Sequence, residues 1–69
     1  MLQLAAVWAR ETLSEEPRRI SPIENSIEDA KCFAVEAGSS SDNDFIALYV
    51  GALDETTASW EVVKTYLVA

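Results

Sequence analysis

The sequence has no histidine, a single cysteine, two glycines and two prolines. Because Cys32 is the sole thiol, the chain has neither an internal disulfide nor a cysteine–histidine set for zinc. It also has no glycine-rich phosphate loop and no base to activate Cys32, so we expect no catalysis and no cofactor. The Asp42-Asn43-Asp44 triplet resembles the start of a calcium loop, but Leu53 stands where that loop needs its bidentate glutamate. We therefore expect no metal, and we expect Cys32 to be a partly exposed structural thiol.

Positive charge is also scarce. Five lysines and arginines face twelve aspartates and glutamates, which gives a net charge of −7. The excess is concentrated in residues 24–61, where nine carboxylates accompany one cation, Lys31. No local spacing assigns these acids a cationic partner. Such a surface repels phosphates, so we expect no direct binding to nucleic acid or to an anionic membrane. The partner that this charge favours is a cationic protein.

Long apolar runs are absent as well. No stretch approaches the roughly 20 residues of a membrane span, and residues 1–9 are too short and lack the positive flank of a secretory signal. A lone free thiol fits a reducing compartment, so we expect a cytoplasmic protein. Residues 1–69 are predicted to form a single acidic domain. At this length a domain buries only about 60% of its unfolded surface, which leaves a thin margin of stability. A second copy could add to that margin, so a monomer or a weak homodimer is expected.

The first 13 residues fit two periodicities. Read as a strand, one face carries Leu2, Leu4, Ala6 and Trp8. Read as a helix, one stripe carries Leu2, Ala5, Ala6, Ala9 and Leu13. We favour the strand because the two later strands need a third to make a stable sheet. Residues 14–19 are then predicted to be an exposed turn, because Pro17 bars the middle of a regular element.

Two serines compete as the start of the one predicted helix. Ser21 is followed by proline and then glutamate, whereas Ser26 precedes two carboxylates in the first turn. We favour Ser26, since Asn25 and Ser26 itself are weak residues inside a helix. Gly38 is predicted to end the helix in the left-handed conformation. The apolar stripe that should face the sheet comprises Ile27, Ala30, Phe33, Ala34 and Ala37.

Two further strands are predicted at residues 45–53 and 60–68, joined as an antiparallel hairpin by a loop at 54–59. The fold class is therefore α+β: a small antiparallel sheet of three to four strands with one helix packed on one face. The order is strand, helix, strand, strand, and a short extra strand near Ile20 stays open. We expect the four large aromatics in core or cross-strand packing, with one of them a candidate interface anchor. These aromatics are Trp8, Tyr49, Trp60 and Tyr66.

The candidate binding residues are seven of the nine acids in residues 24–61. They are Glu28, Asp29 and Glu36 on the outer helix face, Asp42 and Asp44 in the following turn, and Asp54 and Glu55 in the hairpin loop. If the fold brings them onto one side, they could occupy a basic groove that normally holds nucleic acid. If the fold scatters them, the charge serves solubility alone.

The run from Asn25 to Lys31, followed by two strands, is similar to small phage-encoded anti-CRISPR proteins, which are often acidic and carry one helix on an antiparallel sheet. The resemblance covers most of the chain in outline. It implies inhibition of a type I CRISPR-Cas complex by occupation of the groove that recognises target DNA, in the host cytoplasm. It transfers no functional residue beyond the acids already named.

Two functions are expected from these features. The first is an inhibitor that acts by binding, with its acidic surface blocking the groove of a basic nucleic-acid-binding protein. The alternative is a small structural or accessory subunit, which could be homodimeric, whose acidic surface serves only solubility. The apolar last strand motivates the alternative because it could pair along a sheet edge.

Overall fold

One helix lies on a four-stranded antiparallel sheet in the computed structural model, which describes residues 3–40 and 44–68. In chain order the elements are β1 (Ala5–Arg10), β2 (Arg18–Arg19), α1 (Ile27–Ser39), β3 (Ala47–Asp54) and β4 (Ser59–Leu67). The sheet order is β2-β1-β3-β4, so β2 and β4 form its edges. The predicted α+β class and element order are confirmed, and β2 supplies the short extra strand.

The ambiguous N-terminal segment is a strand, as we favoured. β1 pairs with β3 through Val7 opposite Val50 and Ala9 opposite Leu48. These side chains are buried beneath the helix, whereas Trp8 lies on the opposite face of the sheet. The face that we singled out by its period of two is therefore the one away from the core, and Leu2 lies outside the described residues.

The predicted turn at residues 14–19 is wrong at its end. Arg18 and Arg19 form β2 and pair with Ala9 and Trp8. Pro17 directly precedes them, at a position where its missing N–H removes no bond from the ladder. The two arginines are exposed, as an edge strand allows.

Ser26 caps the helix, which confirms the favoured start. The Asp29 N–H donates to Ser26 Oγ at 3.2 Å. Ser21 has another role, because its hydroxyl oxygen accepts the Val7 N–H at 2.8 Å and its own proton goes to the Pro22 carbonyl. Ser21 is thus a buried side chain whose hydroxyl oxygen accepts a β1 backbone N–H, as a carbonyl of a neighbouring strand would.

The predicted helix end at Gly38 is wrong. α1 continues to Ser39, and no described glycine has a positive φ. Gly38 is instead a point of close packing: a Cβ built there would lie 3.0 Å from Leu48 Cδ1. Glycine at this position brings the last turn of the helix onto β3.

The fully buried core consists of alanines, valines and one larger side chain, Leu48, and aromatic side chains pack only at its margin. Ala30 and Ala34 of the predicted stripe are fully buried against β1 and β3, and the other three stripe residues are partly buried around them. Short side chains let the helix backbone approach the sheet closely. The helix runs in the same direction as β1, because its start follows Glu24, which bonds to Ala5, and its end packs on Leu48, which pairs with Ala9.

The predicted hairpin is confirmed, with its strands displaced by one or two residues. β3 and β4 pair along their length, and a β-bulge interrupts the register between Val50 and Gly51. The turn contains Ala58 with φ of 56°, a left-handed residue that is not glycine. Among the described residues, no strand pairs with the outer side of β4.

Candidate protein-binding surface

The strand pairing collects carboxylates at one end of the sheet. Ala5 is bonded to Glu24 on one side and pairs with Ala52 on the other, and Ala52 pairs with Glu61. The first turn of α1 and the β3–β4 turn extend beyond this row. We call the resulting group the acidic end: Glu24, Glu28, Asp29, Asp54, Glu55 and Glu61.

The predicted site is therefore divided. Glu28, Asp29, Asp54 and Glu55 belong to the acidic end. Glu36 and Asp44 lie toward the opposite end, since the helix terminus packs on Leu48 and the Ile46 N–H donates to the Arg10 carbonyl. The eight residues of β3 separate the two ends by about 23 Å at the usual rise per residue. Asp42 lies outside the described residues.

The acidic end is almost uncompensated. In the described part of the chain Lys31 is the one side-chain cation placed there, with its Nζ 3.6 Å from Glu28 Oε1. Our expectation that no acid has a local cationic partner is wrong for Glu28, because positions i and i+3 are neighbours on a helix. The pair is largely exposed, so it adds little to stability and leaves a strong negative excess.

The opposite end, by contrast, carries charges of both signs, although Glu36 and Asp44 leave it with a small negative excess as well. Arg18 forms an ion pair with Glu11. The guanidinium of Arg10 donates to two carbonyls of the loop after β1, at 3.3 Å to Leu13 and 2.7 Å to Glu15. The three arginines of the first twenty residues therefore lie among the acids of the same segment. This end of the sheet mixes positive and negative side chains, whereas the acidic end is almost entirely negative.

Asp54 has a structural task as well as a charge. Its Oδ1 accepts the Thr56 N–H at 3.0 Å and shapes the hairpin turn. Of the predicted site residues at the acidic end, Glu55 and Asp29 are exposed carboxylates whose replacement disturbs no side-chain hydrogen bond found in the structure. They are the better positions for testing charge, and circular dichroism checks the helix in Asp29 variants because a carboxylate in the first turn also stabilises the helix start.

The face of the sheet away from α1 carries aromatic side chains, which we call the open face. Trp8 pairs across the strands with Tyr49, and its ring meets that of Trp60 edge-on at 5.1 Å between centroids. The expected cross-strand packing is confirmed for these three. Tyr66 differs, because it packs at the margin of the core beneath the helix, and Lys64 Nζ lies 5.6 Å from its ring centre.

Gly51 gives the open face its shape. The Trp8 ring lies directly over Gly51, where a Cβ would come within 2.8 Å of Trp8 Cζ3. Glycine inside a strand commonly marks such a close approach, and an aromatic neighbour covers its bare backbone. Beside the stacked ring is a groove of about 490 Å³, lined by Trp8, Tyr49, Trp60 and two carboxylate residues, Glu16 and Glu61.

Sequence reasoning missed this groove. The available signal was that β1 and β3 are apolar at nearly every position, which leaves a second apolar face after the helix has covered the first. β4 extends this surface with exposed apolar side chains, among them Val62 and Leu67. Apolar area of this kind on a strand edge or sheet face commonly marks a contact with another molecule.

Other kinds of site find little support. Within residues 3–40 and 44–68 no group of three histidine, cysteine, aspartate or glutamate side chains is arranged to hold a metal. Over the same residues no helix has the length and apolar character needed to cross a membrane. Cys32 is a free, exposed thiol on α1.

The similarity to anti-CRISPR proteins rests on size, acidity and element order. The structure adds the one-helix, antiparallel-sheet outline, which many unrelated small proteins share. Comparisons with protein-family models, curated proteins and solved structures found no match to this chain, so the resemblance stays a prediction.

Proposed function

We propose that this protein acts by binding, and that it inhibits a basic nucleic-acid-binding protein by placing its acidic end in the groove that would hold nucleic acid. The observation that carries the proposal is the uncompensated charge of that end. Six carboxylates gather around one row of the sheet, and Lys31 is the single cation placed among them within the described residues. At the opposite end arginines lie among the acids, so most of the negative excess is concentrated at the acidic end.

The number of charges suits the size of such a groove. The two smaller dimensions of the molecule are 24 and 16 Å. A duplex segment 24 Å long carries about 14 phosphates, of which about half face one side. The six acids approach that number, so a groove lined by lysine and arginine would meet a comparable charge. Electrostatic attraction between the acidic end and a basic groove raises the association rate of the two proteins, and it weakens steeply as salt is added.

The resemblance supplies a target for the first test, a type I CRISPR-Cas surveillance complex bound to labelled target DNA. Titration of the protein should release the DNA in a saturable manner. The protein concentration that gives half release should rise markedly when salt is raised from 50 to 200 mM, because screened charges contribute less. DNA that stays bound throughout the titration would contradict the proposed target.

A matched pair of variants tests the surface. Asp29→Lys with Glu55→Lys reverses two charges at the acidic end, and Glu15→Lys with Glu36→Lys makes the same net change at the opposite end without breaking the ion pair of Glu11 with Arg18. We expect the first pair to weaken DNA release at least tenfold and the second at most twofold. Equal losses would show that net charge alone matters, and would remove the acidic end from the proposal.

A second function, as a small accessory or homodimeric subunit, is favoured by one observation. β4 is an edge strand with exposed Val62 and Leu67, the latter 83% exposed. Sedimentation velocity over a hundredfold concentration range measures this alternative. A rising sedimentation coefficient would support the homodimer, and an unchanged coefficient would remove it.

A further inference from the structure

The groove on the open face combines two features, aromatic rings and carboxylates. Three aromatic rings, those of Trp8, Tyr49 and Trp60, lie on the face of the sheet opposite α1. Two carboxylate residues, Glu16 and Glu61, line the same groove. Its volume of about 490 Å³ falls within the range of sites that bury small groups.

Aromatic faces attract cations through the negative potential of the ring, and tryptophan does so most strongly. Arginine is the natural counterpart, because its planar guanidinium is weakly hydrated and stacks on a ring while its N–H groups bond to a carboxylate. A groove that offers rings and carboxylates together therefore matches the chemistry of an arginine side chain.

The groove already contains one positive charge, which offsets one of its two carboxylates. Arg10 also lines it, but its guanidinium donates to the carbonyls of Leu13 and Glu15. Those bonds fix the loop after β1, which leads into Glu16. Arg10 therefore supports the groove wall, and the two carboxylate residues leave a net negative lining.

We propose that this groove binds an arginine side chain of the basic partner. The inference deepens the proposed function, on which it rests for the basic character of the partner. The groove reaches the acidic end through Glu61, which belongs to both. A partner would thus make salt-dependent charge interactions with the carboxylates of the acidic end. One of its arginine side chains would also stack on the aromatic rings of the open face.

A second copy of the chain is the less fitting occupant. Two copies would bring together two molecules of net charge −7, which repel each other. β4 also carries a bulge and Lys64, both of which hinder edge-to-edge strand pairing. An arginine segment reduces the charge of the surface that it covers, whereas a second copy doubles it.

The test uses the isolated protein and two peptides, a tetra-arginine peptide and its tetra-citrulline counterpart, which keeps the side-chain shape without the charge. The readout is the ¹H–¹⁵N spectrum, in which the indole N–H signals of Trp8 and Trp60 report the groove directly. We expect both indole signals to shift in a saturable manner with the arginine peptide and to stay unchanged with the citrulline peptide.

Neighbouring residues provide the matched controls. Glu16→Gln should weaken binding of the arginine peptide about fivefold, while Glu15→Gln, with the same charge change one residue away, should have less than a twofold effect. Trp60→Ala should weaken it about tenfold. Gly51→Ala should also weaken it, because the added methyl group displaces the Trp8 ring without removing an aromatic side chain or a charge.

Three results would overturn the proposal. The first is an arginine peptide that shifts amide signals of the acidic end and leaves both indoles unmoved. The second is an equal effect of Glu16→Gln and Glu15→Gln. The third is an indole signal that shifts on dilution of the free protein, which would show a second copy in the groove. DNA release without indole shifts would retain the proposed function and reject the groove as an arginine site. Indole shifts without DNA release would retain the arginine site and reject the proposed function.

Discussion

The two faces of the sheet are built from different kinds of residue. The face under the helix carries small and branched side chains such as Ala5, Val7 and Val50, all fully buried. The open face carries Trp8, Tyr49 and Trp60, which keep contact with solvent. In a small domain the largest apolar side chains would be expected in the core, where they bury the most area. The core beneath the closely packed helix keeps its aromatic side chains at the margin, and the rings on the uncovered face motivate the proposal that another molecule binds there.

The largest difference in stability between the two faces should come from replacing Leu48, a fully buried side chain under the helix. Leu48→Ala should lower the free energy of unfolding by about 2–5 kcal/mol, because it removes buried contacts and leaves a cavity. Leu67→Ala, one strand away on the open side, should cost at most about 0.5 kcal/mol. Denaturation by urea measures both. Similar losses would mean that the two faces do not differ as described.

A change that adds volume tests the close approach of the helix. Ala34→Leu should destabilise the protein by about 1–3 kcal/mol, because α1 lies too near the sheet to admit a larger side chain. Val35→Leu, at the next and exposed helix position, is the control and should be near neutral. If Ala34→Leu were also neutral in thermal unfolding, the tight packing attributed to the alanines would be wrong.

The sequence predicted the local elements well and their contacts less well. Ser26 as the cap, the alanine stripe and the hairpin all depend on neighbours within a few residues, so pattern and propensity were sufficient. Gly38 was misjudged because its role depends on Leu48, ten residues away. The division of the acids and the stacking of Trp8 on Gly51 required the pairing of β1 with β3, which no local pattern specifies.

Ser21 and Ser26, the two candidate helix starts, allow a similar comparison between a buried and an exposed hydrogen bond. Ser21→Ala should cost about 1–3 kcal/mol, because it leaves the Val7 N–H buried without its acceptor. Ser26→Ala should cost about 1 kcal/mol, as is usual for a helix cap. Hydrogen exchange separates them: the Val7 amide should lose protection in the first variant and keep it in the second. Unaltered protection of Val7 in Ser21→Ala would contradict the assigned bond.

The smallest effect on stability is expected on the open face. Gly51→Ala should change the free energy of unfolding by at most about 1 kcal/mol, since alanine suits a strand better than glycine and the Trp8 ring can move. The near-ultraviolet circular dichroism should change clearly, because that movement alters the edge-on contact between Trp8 and Trp60. An unchanged spectrum would mean that Trp8 does not lie over Gly51.

The most direct test of the proposed function is DNA release from a type I CRISPR-Cas complex by the two charge-reversed pairs, measured side by side at low salt. The acidic end predicts that Asp29→Lys with Glu55→Lys abolishes most of the release, while Glu15→Lys with Glu36→Lys leaves it nearly intact. Equal activity of both pairs, or no release by the unaltered protein, would contradict a role for the acidic end in blocking a nucleic-acid groove.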